Sequence, residues 1–279
     1  MTLARLSDVL RPCLTDGTAI AGLVVLGWED AVSYVRAAEA EARPVILQAG
    51  PGARAYTPLS VLAAMFRTLA DGASVRVVTH LDHGESLEVC RQAVDLGFTS
   101  VMYDGSALPL AENIARTAEV VAMAHPHGVS VEGELGFVGY AHGAKSLGTD
   151  PAEVARFAVQ AGVDALAVSI GNSHLMTAPG AEVDWPRLRA IEAAAPDLPL
   201  VLHGGSGLAH PLRARLAAQT NVCKFNIGTE LRQAFGAALR ASLARAPTRF
   251  DRIQLLSETI PPVTEAARLA IRSVAPNRA

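Results

Sequence analysis

Eight short apolar runs recur along the chain, and each is followed by a longer segment whose apolar residues have helical spacing. Runs of four to eight residues rich in Val, Ile, Leu and Ala are typical of strands that are buried on both faces of a parallel sheet. Together with their polar exits, the runs predict strands at Thr18–Gly27, Pro44–Gly50, Val75–Gly84, Ser100–Ser106, Val129–Gly136, Asp164–Gly171, Pro199–Gly207 and Val222–Thr229.

The segments between the runs predict helices that return the chain to the start of the next strand. Examples are Pro58–Asp71 and Leu110–Ala124, and the pair Asp150 and Pro151 marks a further helix start by its capping chemistry. Eight strand-then-helix units predict an α/β fold, the (β/α)8 TIM barrel, as a single domain over 1–279 with extra C-terminal helices. A doubly wound open sheet is the alternative, but no G-x-G-x-x-G follows the first strand.

Composition and charge argue against several classes of protein. The chain has 279 residues, half of them hydrophobic, and a net charge of −3 with scattered basic residues, so we expect no nucleic-acid or membrane partner. No apolar run approaches the roughly 20 residues that span a bilayer. Cys13, Cys90 and Cys223 are distant from one another and odd in number, which predicts no disulfide framework and a reducing, cytoplasmic location.

Histidines and carboxylates collect where the predicted strands end, and in a barrel these ends form the active site. Three histidines from three strands, with carboxylates nearby, suit zinc or another divalent metal and leave one position open for substrate. The alternative for a lone histidine is a satisfied polar residue, which we expect for His80. The residues at the predicted rim are Asp82, His83, Asp104, Glu132, Glu134, His174, His203 and Asn226.

Two glycine-rich strand exits are a second signal. Gly204, Gly205 and Ser206 follow the seventh predicted strand, and Asn226–Thr229 ends the eighth. Backbone N–H groups freed by glycine, with nearby hydroxyls, make a concave anion site, and barrels often bind phosphate at this pair of loops. The sequence therefore predicts a phosphorylated small molecule as the partner.

Six runs of the sequence resemble a known family: HLDHGES, MYDGS, VEGELG, SIGNSHL, LVLHGGSG and KFNIGTEL. In this order, over Pro44 to Leu239, they are similar to the class II, metal-dependent ketose-bisphosphate aldolases, which include the fructose- and tagatose-bisphosphate enzymes.

This resemblance implies a role for each matching residue. Zinc, or another divalent ion, would lie on His83, His174 and His203, and Asp82 would handle the proton at the aldehyde oxygen. Asp104 and Glu134 would lie near an alternative metal position. The loops that hold dihydroxyacetone phosphate would be formed by Gly204, Gly205, Ser206, Asn226, Ile227, Gly228 and Thr229.

The sequence departs from the family pattern around the substrate. The first strand has Leu23-Val24-Val25 where the family usually has an Asn, and Gly50 and Leu175 stand where it usually has Ser and Gly. The family also carries a Glu in the loop after the fifth strand, but there is no acidic residue between Glu134 and Asp150. We predict that this loop is mobile and that His142, with Tyr140 as the other candidate, replaces that Glu. The alternative is that a partner subunit or the substrate's own phosphate handles the proton.

We therefore expect a zinc-dependent aldolase that uses dihydroxyacetone phosphate or a close analogue as enediolate donor, with an altered aldehyde partner. A divalent metal on the ketone and adjacent hydroxyl would stabilise the enediolate, so no Schiff-base lysine is required. One alternative is a related lyase with a different donor, and another is a catalytically weakened barrel that only binds a phosphorylated ligand. The presence of Asp82 favours an enzyme. We also expect a homodimer or homotetramer.

Overall fold

The computed structural model describes residues 2–275, in which eight parallel strands close into one barrel with helices between them. The predicted (β/α)8 fold is confirmed, although most strands are shorter than the apolar runs. Their bounds are Ile20–Val24 (β1), Val45–Ala49 (β2), Val77–Gly84 (β3), Ser100–Tyr103 (β4), Ser130–Leu135 (β5), Ala165–Val168 (β6), Leu200–Leu202 (β7) and Val222–Ile227 (β8).

Helices cover the outside of the barrel and its N-terminal end. None of the helices in the described part of the chain is long and apolar enough to cross a membrane. Their bounds are Leu6–Asp16 (α1), Trp28–Ala40 (α2), Pro51–Tyr56 (α3), Leu59–Gly72 (α4), Leu87–Asp95 (α5), Leu110–Ala124 (α6), Pro151–Ala161 (α7), Trp185–Ala194 (α8), His210–Gln219 (α9), Thr229–Arg245 (α10), Arg252–Ser257 (α11) and Ile260–Val274 (α12).

The barrel is closed by pairing between its first and last strands, with Gly22 opposite Asn226. One apolar cluster fills the space between the strands and the surrounding helices. A second cluster joins buried Leu6 and Leu10 of α1 to residues such as Val78 and Met102 at the N-terminal end of the barrel. Because α1 covers that end, the carboxyl ends of the strands are left as the open mouth.

A buried charged layer crosses the barrel interior below the mouth. Lys224 Nζ of β8 lies 2.6 Å from Glu132 Oε2 of β5 and 3.1 Å from His80 Nε2 of β3. All three side chains are fully buried. His80 is therefore a hydrogen-bonded, buried residue, as predicted, and Glu132 lies deeper than the rim on which the sequence had placed it.

One segment differs from the sequence-based prediction. The Gly/Pro-rich segment after β2, for which the sequence predicts no helix, forms the short helix α3. Pro51 is tolerated there because a backbone N–H in the first turn would have no intrahelical acceptor. The extra C-terminal helices are present as α11 and α12, and Arg268 and Arg272 of α12 pair with Glu41 after α2. The single-domain boundaries remain a prediction, since residues 1 and 276–279 lie outside the described range.

Candidate metal centre and active site

A β-bulge at the end of β3 sets the direction of the first candidate ligand. Leu81 pairs with Val101 and Gly84 with Tyr103, so Asp82 and His83 together oppose a single residue of β4. His83 has φ +47, which is uncommon for a residue with a side chain. Bulges of this kind are over-represented beside active sites, where they redirect side chains.

The three predicted histidines meet above the charged layer. The His83 ring centroid lies 5.3 Å from that of His174 and 4.6 Å from that of His203, and each residue offers a ligand nitrogen within 4.8 Å of the others. His203 Nε2 lies 3.2 Å from Glu132 Oε1, whereas its buried Nδ1 has no hydrogen-bond partner in the described range. A free lone pair in a ring oriented by a carboxylate is the arrangement that metal-binding histidines adopt.

A second possible ligand set shares His83 with the first. His83 Nδ1 lies 2.7 Å from Asp104 Oδ2 and 3.7 Å from Glu134 Oε2. Glu134 Oε2 is buried and has no hydrogen-bond partner among the described residues. The nitrogen and oxygen donors of both sets fit a zinc-like divalent ion, and the two unpartnered buried atoms support that fit.

The pKa values of the three histidines are shifted in different directions. Burial lowers the pKa of His174 to about 4 and holds the pKa of His203 well below its usual value, so both rings are neutral at pH 7. Burial also opposes the cation of His83, but the carboxylates of Asp82, Asp104 and Glu134 outweigh it and raise the pKa of His83 to about 10. A divalent ion in this site would take the place of that positive charge.

The carboxylates around His83 are shifted in opposite directions. Burial and the charge of Asp104 raise the pKa of Glu134 to about 8, although His83 acts against the shift. Burial disfavours the charged form of Asp104 too, but its hydrogen bond with His83 and the bonds from Ser106 lower its pKa. The carboxylates of Asp82 and Asp104 therefore carry more negative charge than the His83 cation neutralises, which favours binding of a cation.

Asp82 faces the mouth beside the metal candidates. Its Oδ1 accepts a hydrogen bond of 3.0 Å from Asn226 Nδ2, so β3 and β8 together fix the carboxylate. Burial acts to raise the pKa of Asp82, but the neighbouring histidines and Lys224 hold it below its usual value. Asp82 is therefore ionised at pH 7 and able to accept a proton.

The two glycine-rich exits form adjoining walls of the mouth. Gly204 has φ +67, and a Cβ there would lie 2.1 Å from the carbonyl oxygen of Ser173, so only glycine fits. Ser206 Oγ accepts a 3.3 Å hydrogen bond from the N–H of Glu230 in the first turn of α10. The start of a 17-residue helix beside a glycine loop favours an anion.

An arginine that the sequence did not reveal joins these two walls. Arg213 of α9 is fully buried, and its Nε donates to the carbonyl oxygen of Gly205 at 3.0 Å. Its Nη1 and Nη2 form paired hydrogen bonds of 2.8 and 3.1 Å with the Glu230 carboxylate. This bidentate contact holds the loop after β7 against α10.

A cavity of ≈ 640 Å³ opens over the site. Arg232, one turn into α10, lies beside Gly228 and Val24 at the β8–β1 side. The predicted residues that line the cavity are Asp82, His83, Asp104, His174, Gly204, Ser206, Asn226, Gly228 and Thr229. The other predicted residues are buried and lie outside the described lining: Gly205, Ile227, His203 and Glu134.

The loop after β5 is tied to the exit of β6. His174 N donates to the carbonyl oxygen of Gly139 at 2.7 Å, and Ala141 N donates to that of His174 at 2.9 Å. This arrangement stacks the Tyr140 ring on His174, with centroids 5.1 Å apart. Tyr140 lines the cavity, whereas His142 is exposed and lies outside its described lining. The structure therefore brings Tyr140, not the preferred candidate His142, to the site.

The departures from the family pattern also reach the cavity. Val24, Gly50 and Leu175 all line it. A Cβ at Gly50 would lie 3.4 Å from Asp82 Oδ2, so a serine there would stand beside that carboxylate. Leu175 has φ +59, a conformation that favours glycine, and the residue is 48% exposed.

Comparisons with known proteins identify the family of the chain. Residues 4–277 match the family described as "Fructose-bisphosphate aldolase class-II". The chain is 38% identical over 264 residues to the 6-phospho-5-dehydro-2-deoxy-D-gluconate aldolase of Shouchella clausii, covering 92% of this chain and 89% of that protein. It is 37% identical over 252 residues to a fructose-bisphosphate aldolase of Streptococcus pyogenes, covering 86% and 83%.

Solved structures show the same architecture. The crystal structure of the YdjI aldolase from Escherichia coli K12 superposes with a TM-score of 0.84 at 31% sequence identity. The match covers 98% of this chain and 97% of that one.

Proposed function

Since the chain belongs to the class-II fructose-bisphosphate aldolase family and is therefore an aldolase, we propose that it depends on zinc and uses dihydroxyacetone phosphate or a close analogue as donor. One observation carries this proposal. His83 of β3 and the two histidines that follow β6 and β7 bring ligand nitrogens within 4.8 Å of one another, and the buried Nδ1 of His203 has no other partner in the described chain. Asp82 and the glycine-rich walls lie around these histidines.

The metal would be held by His83, His174 and His203, with Asp104 and Glu134 as the alternative set. When bound, such an ion polarises a ketone carbonyl and stabilises the enediolate that forms when a carbon-bound proton leaves. Glu132 orients His203 from behind, and Asn226 orients Asp82.

Asp82 would move the proton of the aldehyde half. In the cleavage direction its ionised carboxylate accepts the proton of the substrate hydroxyl as the carbon–carbon bond breaks, and in condensation it returns that proton to the aldehyde oxygen. The hydrogen bond from Asn226 keeps the accepting oxygen in place. A residue of this kind is of no use to a barrel that only binds a ligand, so we favour the enzyme over the weakened barrel.

The phosphate would lie between the walls formed by the β7 and β8 exits. Gly204, Gly205 and Ser206 contribute one wall, and Asn226, Ile227, Gly228 and Thr229 contribute the other. Arg232 adds a guanidinium beside Gly228. With the donor phosphate here, the aldehyde half extends towards Glu85, Tyr140 and Leu175.

A carbon–hydrogen exchange assay tests the proposal. We expect the chain to exchange a carbon-bound proton of dihydroxyacetone phosphate with solvent, and the rate to fall to background after chelation and return with zinc. Condensation of the same donor with a panel of aldehydes would then identify the acceptor. If the zinc-loaded protein shows no exchange, the alternative of a lyase with a different donor would be favoured. The altered positions Val24 and Gly50 in the cavity are consistent with that alternative.

Fructose 1,6-bisphosphate should be a poor substrate. The aldehyde side of the cavity carries the apolar side chains of Phe137 and Leu175, and its Glu85 carboxylate is paired with Arg54. The described lining on that side offers a second phosphate no Lys or Arg side chain. We expect kcat/KM at least about tenfold lower than for fructose 1-phosphate, a loss of roughly 1.4 kcal/mol in transition-state binding. Equal or better cleavage of the bisphosphate would show that the altered pocket has no effect on specificity.

Tyr140 is the better-placed replacement for the missing loop glutamate. Burial raises the pKa of its phenol, which therefore stays protonated and can donate a proton to the donor carbon in the cleavage direction. We expect Tyr140→Phe to slow proton exchange at dihydroxyacetone phosphate by about 10²-fold, the lower end of acid–base contributions. His142→Ala is the companion variant, and a larger loss in that protein would return the role to His142.

A cytoplasmic location and assembly into a homodimer or homotetramer remain predictions from the sequence. Size-exclusion chromatography with light scattering measures the second of these directly.

A further inference from the structure

One guanidinium is bound mainly to backbone carbonyls beside the metal candidates. Arg54 of α3 donates from Nη1 to the carbonyl oxygens of Ala49 (2.9 Å) and Asp82 (2.7 Å). Its Nη2 donates to the carbonyl oxygen of His83 (3.0 Å) and to Glu85 Oε2 (2.7 Å). The Arg54 side chain is 10% exposed.

These contacts fall on the irregular part of β3. The bulge places Asp82 and His83 opposite a single residue of β4, and His83 has φ +47. A side-chain-bearing residue keeps such a conformation only when its surroundings hold it. Arg54 contacts the carbonyls of both residues of the bulge, and one rigid fork therefore fixes two successive peptide planes.

We infer that Arg54 is a positioning residue that sets the direction of the His83 and Asp82 side chains. The inference rests on the proposed metal site at His83. A change in the peptide planes on either side of His83 rotates its Cα–Cβ bond and moves the ring away from His174 and His203. The same change moves the Asp82 carboxylate, so Arg54 acts on both through the backbone.

Arg54 is occupied by these contacts and is not a substrate ligand in this arrangement. Its two Nη atoms make four hydrogen bonds, and a guanidinium has five N–H donors in all. Glu85, whose side chain is 67% exposed, neutralises the guanidinium beside the cation site. Substitution of Arg54 should therefore change the backbone around His83, whereas substitution of Glu85 should remove only a counter-charge.

Metal affinity and ligand geometry test the inference without any assay of activity. The variants are Arg54→Met, Arg54→Lys and Glu85→Gln, with Arg67→Met as a matched control that removes an exposed Arg–Asp pair from α4. The zinc Kd would be measured by competition with a chromophoric chelator. The visible absorption spectrum of the cobalt(II)-substituted protein would report the geometry of the ligands, and thermal unfolding would report stability.

We expect Arg54→Met to raise the zinc Kd by about 10–100-fold, as loss of an outer-shell partner typically does, and to change the cobalt spectrum. Arg54→Lys should keep only part of the affinity, because an ammonium group cannot span the same carbonyls in one plane. Glu85→Gln should change the Kd less than Arg54→Met, and Arg67→Met should match the wild type.

Each outcome decides a separate point. A wild-type protein that binds no stoichiometric metal would overturn the proposed metal site itself. A metal-binding wild type with an unchanged Kd and cobalt spectrum in Arg54→Met would overturn the role of Arg54 alone. If Arg54→Met does not fold, Arg54→Lys carries the test, and a wild-type spectrum and Kd in that variant overturn the inference.

Discussion

We expect His203→Ala to lose its bound metal and therefore its aldolase activity. The activity should fall by more than about 100-fold, because loss of a ligand costs more than loss of an outer-shell partner, which typically costs about 10–100-fold. His203 is fully buried, and its Nδ1 has no hydrogen-bond partner among the residues described, while Glu132 fixes the other ring nitrogen. Removal of the ring leaves His83 and His174, and two histidines cannot complete the three-ligand set of a catalytic zinc.

Metal analysis of the purified protein measures this effect. The wild type should hold about one tightly bound divalent ion per chain, as one three-ligand site predicts. His127→Ala is a matched control, since it removes an exposed imidazole far from the mouth at the turn after α6. Full metal occupancy in His203→Ala would rule out the assignment of His203 as a ligand.

Asp82→Ala is expected to keep the metal and lose turnover by roughly 10²–10⁴-fold, the usual contribution of general acid–base groups. Asp82 lies next to His83 in the chain, but its carboxylate is directed to Asn226 and the cavity. Its removal should therefore spare the three histidine nitrogens and take away the proton acceptor of the aldehyde half.

Asp82→Asn refines the measurement, because the amide oxygen can still accept the hydrogen bond from Asn226 but the group cannot take a proton. Both variants would be assayed at saturating zinc, with metal content determined on the same samples. Turnover within about threefold of the wild type, well short of the acid–base range, would assign Asp82 a structural role.

The sequence predicted the barrel because its signals are local. Apolar runs such as Val45–Ala49 mark strands by composition alone, and one rule of barrel architecture then places all their carboxyl ends at the same mouth. His83, His174 and His203 come from three distant parts of the chain, yet that rule brought them together. The identity of the family followed from the same residues.

The remaining features depend on tertiary contacts. The bulge at His83 arises from pairing between β3 and β4, and no local pattern indicates it. The sequence favoured His142 for the acid–base chemistry of an imidazole. The position of Tyr140 depends on hydrogen bonds between the β5 loop and the residues around His174, which no local pattern indicates. Lys224 could have been found, because it lies two residues before Asn226 and strand alternation points both into the barrel.

The pairing of Lys224 with Glu132 also constrains how the protein folds. Glu132 belongs to β5, whereas Lys224, which neutralises its charge, belongs to β8, the last strand to be synthesised. A partly built barrel without β8 holds a carboxylate that must stay hydrated, because an unpaired buried charge is strongly destabilising. We therefore expect the pairing of β8 with its neighbours and the exclusion of water from the barrel interior to occur together.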